Sequence, residues 1–96
     1  MPYIPQKDRQ ALDAHIGALA EEINRIAAAY GHPASFAGLL NYCCTTLALR
    51  VMPERRYWVM ALLSGVFRNL ADEFYRRYAA PYEDEQIEKH GDVYPE

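Results

Sequence analysis

Between Glu54 and Ala80 apolar side chains recur at Val59, Leu63, Val66, Leu70 and Phe74, with Leu62, Phe67 and Tyr78 widening the stripe. Steps of three and four residues put those side chains on one face of a helix, whereas a half-buried strand would alternate every second residue. The spacing therefore predicts one long helix over about 54–80. Pro53 suits its first turn, where the missing N–H is not needed. Pro81 cannot continue it, so a stop is expected near Ala80. At ~1.5 Å per residue such a helix is roughly 40 Å long, more than a small domain spans, so its ends should project or meet a partner. Gly65, after Ser64, costs on the order of 1 kcal/mol of helix stability. It is either a tolerated glycine or, the reading preferred here, a point of close helix approach.

The first 52 residues predict two more helices. Over about 7–30, Leu12, Ile16, Leu19, Ile23, Ile26 and Tyr30 are spaced four, three, four, three, four, a heptad seam suited to shallow-angle helix packing. Gly31 and then Pro33 supply its stop. Ser35 can cap a helix over about 36–52. That helix is apolar all the way round: Phe36, Leu39, Leu40, Tyr42, Cys43, Cys44, Leu47, Leu49 and Val51 are interrupted only by polar Asn41, Thr45, Thr46 and Arg50. A helix with no polar face wants cover on every side. Two other helices of one chain do not readily supply it, so a subunit interface is expected. The alternative is cover by the N-terminal arm and the tail.

The expected architecture is all-α: a single helical domain over 1–96, with an extended arm over 1–6 anchored by Tyr3 and Ile4, three main helices and a tail over 81–96. In the tail EDEQIEKH gives one or two helical turns ending at Gly91, and the whole packs as an oligomeric helical bundle, a homodimer or higher. Ninety-six residues allow one modest core. A hydrophobic content of 51% argues against disorder. No apolar run approaches the ~20 residues of a membrane span. The opening MPYIPQKDRQ has two prolines and no apolar core, which argues against a secretory signal. A net charge of −3 argues against broad electrostatic binding of nucleic acid. Cys43 and Cys44, the only cysteines, point about 100° apart on a helix and read as reduced packing residues of a cytoplasmic protein.

Catalytic chemistry has little support in the sequence. Ser35 and Ser64 sit in no nucleophile motif. His15, His32 and His90 have no His or Cys three or four residues away, so no metal site is expected, and no cofactor. A magnesium-dependent hydrolase would want carboxylates one turn apart on facing helices. Asp8, Asp13, Glu21 and Glu22 of the first helix, and Glu54, Asp72 and Glu73 of the third, offer no such pair.

The candidate site is the segment EFYRRYAAPY. Tyr75, Arg76, Arg77, Tyr78 and Tyr82 crowd it, and Arg68 lies two turns earlier. Guanidinium groups beside aromatic rings can clamp a phosphate and stack a base. The plainer reading is ion pairing along the helix, Asp72 with Arg76 and Glu73 with Arg77. A second group, Arg50, Arg55 and Arg56 with Tyr57 and Trp58, flanks Pro53, and in an antiparallel dimer the two groups could enclose a pocket.

MPYIPQKDR, LLNYCCTTL and EFYRRYAAPYEDEQIEKHGDVY together resemble an uncharacterised family of small proteins from bacteriophages and some prokaryotes. Asn41, Tyr42, Glu73, Tyr75, Arg76, Arg77, Pro81, Tyr82, Glu83, Gly91, Asp92 and Tyr94 match its pattern. The family has Gly-Asp-Leu-Asn-Tyr where this chain has Gly38-Leu39-Leu40-Asn41-Tyr42, and Glu where this chain has Arg68. Both departures remove a carboxylate and weaken a metal mechanism. The resemblance transfers no activity. By analogy with phage proteins it suggests a small helical oligomer that sequesters a nucleotide signal of host defence. The leading expectation is thus a non-enzymatic homo-oligomer binding a phosphate-bearing small molecule through Arg76, Arg77 and Tyr82, with Tyr75, Arg68, Tyr42 and Asn41. A protein-interaction adaptor using the apolar second helix is the alternative, and a hydrolase comes third.

Overall fold

A computed structural model describes residues 2–95, and every element in it is helical. The elements are α1 (Gln6–Tyr30), α2 (Ser35–Val51), α3 (Tyr57–Phe74), a π turn (Tyr75–Ala79) and α4 (Ala80–His90). They divide into two compact units, residues 2–55 and residues 56–95.

In the first unit α1 packs on α2. The Pro5 carbonyl accepts the amides of Asp8 and Arg9 at 3.0 and 3.1 Å, and Asp8 sits in the first turn, where the helix dipole favours an acid. The arm before it is tied by Arg9, whose Nε donates to the Ile4 carbonyl at 2.8 Å. Gly31 ends α1 in the left-handed conformation at φ 71°, its amide bonding the Ala28 carbonyl. That is the glycine stop the sequence predicts. Ser35 is the first residue of α2 rather than its cap. Its amide goes to the His32 carbonyl, and His32 Nδ1 accepts the Ala34 amide, so a histidine turn starts the helix.

The half-buried apolar residues of α1 lie beside that turn: Ile23, Ile26 and Ala27. The other half of the heptad seam, Leu12, Ile16 and Leu19, is exposed. On α2 only Ala48 is buried; Phe36, Leu40, Tyr42, Leu47, Leu49 and Val51 stay exposed, and the arm leaves them so.

The second unit departs from expectation at both ends of its helix. Pro53 lies in an irregular stretch and the helix begins at Tyr57. The residue before a proline favours extended backbone, and Met52 is extended. Glu54, Arg55 and Arg56 offer no apolar face, and a helix draws most of its stability from such a face, so it starts where the apolar period starts.

At the other end the expected stop at Ala80 is overturned: helical backbone continues through Pro81 to His90. The continuation depends on the π turn. The Ala80 amide reaches back five residues to the Tyr75 carbonyl, widening the turn ahead of Pro81. In a regular α turn the Pro81 ring would press on the Arg77 carbonyl. After the widened turn Pro81 sits in the first turn of a resumed helix, where its missing N–H is tolerated. The segment expected to form one or two separate turns is therefore the 11-residue α4, continuous with α3 and ending where expected: the Gly91 amide bonds the Ile87 carbonyl at 2.7 Å. α4 extends α3 rather than folding back on it.

Candidate functional site

The Arg/Tyr segment is the π turn. Tyr75, Arg76, Arg77 and Tyr78 all lie in it, and Tyr82 follows within one turn. Single π turns in long helices are rare and gather at functional sites, so the coincidence singles out this part of the chain.

The widened turn also sets which side chains meet. The Tyr75 hydroxyl donates to the Glu83 carboxylate eight residues on. Over eight residues a regular helix turns about 80° past alignment. A turn closed by five-residue bonds rotates less per residue and rises less, which brings the two together. The Tyr75 hydroxyl pKa is raised, first because ionisation would break the bond to Glu83 and then because the phenolate would face that carboxylate's charge. Phe74 and Tyr78 stack with ring centroids 5.4 Å apart and planes 28° from parallel. Arg76 pairs with Glu73 at 3.4 Å, three residues back. Tyr75, Tyr78 and Tyr82 are exposed.

The expected site residues are thus distributed unevenly. Tyr75, Arg76, Arg77 and Tyr82 share one short segment, and Arg68 is on α3 of the same unit. Arg68 lines an open trough with Tyr57, Met60, Ala61, Ser64 and Gly65. A Cβ added at Gly65 would meet no atom within 4 Å, so none of the described residues makes the close approach expected there. Arg76 lines a second open trough with Asn69, Asp72 and Glu73. Asn41 and Tyr42 belong to the other unit, in a trough along α2 with Ala37, Gly38, Thr45 and Thr46, where Thr45 Oγ1 donates to Asn41 Oδ1 at 3.2 Å.

Consecutive side chains leave a helix in different directions, so Arg76 and Arg77 do not converge on one phosphate from a single helix. A clamp using both needs another element to complete it. Among the described residues no polar or charged side chain is buried, and no group of three His, Cys, Asp or Glu side chains is placed to hold a metal. No helix is long and apolar enough to cross a membrane.

The sequence reading missed Glu83 as the partner of Tyr75. The signal for it is Leu70, Phe74, Tyr78 and Tyr82, a run of four-residue steps that a regular helix cannot keep on one side.

The fold and the segment define a small all-helical protein that carries an aromatic-flanked Arg pair on a π turn. The chain belongs to the family described as Domain of unknown function (DUF6899), which matches residues 1–93. No curated protein and no solved structure matches it.

Proposed function

We propose that the protein is a non-enzymatic homo-oligomeric binding protein whose Arg/Tyr segment holds a phosphate-bearing small molecule such as a nucleotide signal. The observation that carries this reading is the amount of surface the chain leaves open. It exposes 8784 Å², with Ala48 and Val59 its buried hydrophobic residues. A compact monomer of 11.0 kDa exposes about 5,600 Å². Two separate compact globules of half that mass would still expose only about 6,800 Å², so the excess does not depend on how the two units are arranged. At least about 2,000 Å² awaits cover, within the range of obligate subunit interfaces. Assembly also supplies the second element that an Arg76/Arg77 clamp requires. The resemblance to small phage proteins supports sequestration of a host-defence signal as the purpose.

Native mass spectrometry of the protein from its source cells reads subunit number and retained ligand together. Calorimetry with a nucleotide panel then compares the wild type with Arg76→Ala/Arg77→Ala. Binding abolished in the double variant is expected. No binding across the panel by an assembled wild type overturns the ligand reading. The exposed apolar face of α2 favours a second reading, a protein-interaction adaptor. A stoichiometric foreign protein in the same spectra would move the conclusion there.

A further inference from the structure

Resting on that reading of an assembled protein, we infer that two copies pair through the second unit, their α3–α4 helices running antiparallel, with the two π turns side by side at the dyad. Three observations carry this.

The first is the continuity of the apolar stripe. Val59, Leu63, Val66 and Leu70 follow steps of four, three and four, and then Leu70, Phe74, Tyr78 and Tyr82 follow steps of four. A regular helix drifts about 40° per four-residue step, about 120° over those three steps, which would wind the aromatic half away from the aliphatic half. The π turn over Tyr75–Ala79 absorbs that drift, and Phe74 stacked on Tyr78 shows the rings in line. The outcome is a straight stripe along which Val66, Leu70, Phe74, Tyr78 and Tyr82 are exposed. A straight stripe is what a second helix packs against.

The second is charge. From Arg56 to Ala71 the only charged residues are Arg56 and Arg68, both positive. From Ala80 to His90 there are Glu83, Asp84, Glu85 and Glu88 against Lys89. One end of the run is positive and the other acidic. A parallel pair would set acid on acid; an antiparallel pair sets each acidic end beside the other copy's arginines, and it opposes the helix dipoles as well.

The third is register. Placing Leu70 opposite Tyr82 of the second copy puts the midpoint at residue 76, inside the π turn. The same register sets Phe74 against the second copy's Tyr78, so apolar positions meet apolar positions on both sides of the dyad. Such a contact is self-complementary, as a two-fold interface must be. It sets the π turns of both copies side by side, so that each copy supplies a second element beside the other's arginines.

The test uses the full chain with Cys43→Ala and Cys44→Ala. Leu70→Cys and Tyr82→Cys variants are mixed, or kept apart, and treated with a short bismaleimide, without added nucleotide. Expected is a 70–82 link in the mixture and no 82–82 link from the Tyr82→Cys variant alone. Links of 70 to 70 and 82 to 82 overturn the antiparallel arrangement. Absent links, with oligomers seen by sedimentation, overturn this interface but leave assembly standing. A single-chain mass overturns both. As a second arm with the stripe intact, Asp84→Lys/Glu85→Lys should weaken the dimer severalfold at low salt, and adding Arg68→Glu should restore it. A dimer indifferent to all of these charges also overturns the pairing.

Discussion

The excess surface makes a quantitative prediction about stability. With two buried hydrophobic side chains among the described residues, Ala48 and Val59, the chain has little core of its own, so its helices should be stable only as far as other copies cover them. Folding and association are then one equilibrium, and stability must depend on concentration. For a dimer, each tenfold dilution removes about 1.4 kcal/mol. The cooperative unit is two chains of 96 residues, and for a unit of that size 1 kcal/mol moves Tm by about 2–4 °C. Tm should therefore fall by about 3–6 °C per tenfold dilution. Helical circular dichroism followed through heating, from the micromolar range upward by decades, reads this directly, and sedimentation at the same concentrations reports mass. A Tm that stays constant over three decades, with a single-chain mass and a sharp transition, refutes the reasoning. It would mean that one chain buries its apolar stripes in some other way.

Three further predictions follow from single residues. Gly31→Ala places a side chain at φ 71° with open space around it, so the cost is the backbone's alone, about 1 kcal/mol; a denaturation series measures it. Tyr75 should ionise later than an ordinary tyrosine in an alkaline absorbance titration, and Glu83→Gln should bring it back. Its folded pKa lies above the unfolded one, so the Tyr75–Glu83 contribution is present below the unfolded tyrosine pKa and is lost as pH rises through the folded one. Pro81→Ala removes a residue that costs a regular helix interior about 3 kcal/mol, and so lets a regular turn compete with the π turn; the isolated chain should gain helicity while the dimer weakens and Tyr75 loses its late titration.

The helix stops that rest on one local device were legible. Gly31 and Gly91 end α1 and α4 where glycine after an apolar period predicts, because a left-handed or otherwise non-helical residue there depends on the chain's own backbone. Starts were less legible. Ser35 is a good capping residue, but His32 supplies the acceptor instead; Pro53 permits a helix, but three charged residues after it give the helix nothing to bury. The Arg/Tyr segment stood out by composition, yet its geometry did not. The Tyr75–Glu83 bond joins residues eight apart, and only a change of phase between them makes that contact, which a fixed period of 3.6 cannot show.

Pro81 accounts for the largest departure, and its effect runs in the opposite direction from the rule that suggested a stop. A proline inside a helix has two remedies: the helix ends, or the turn before it widens. Ending the helix would separate Tyr82 and the acidic residues from the stripe on α3. Widening keeps them attached and corrects the drift of the four-residue steps at the same point, since both need a turn that rotates less per residue. The same turn that tolerates the proline therefore keeps Tyr82 on the continuing helix and brings Glu83 to Tyr75. It also leaves Arg76 and Arg77 diverging on a surface that one chain does not enclose. A backbone device that costs local regularity along a long exposed helix is most simply understood as serving that helix's exposed face, and on the proposed pairing the arginines at its centre gain a common target.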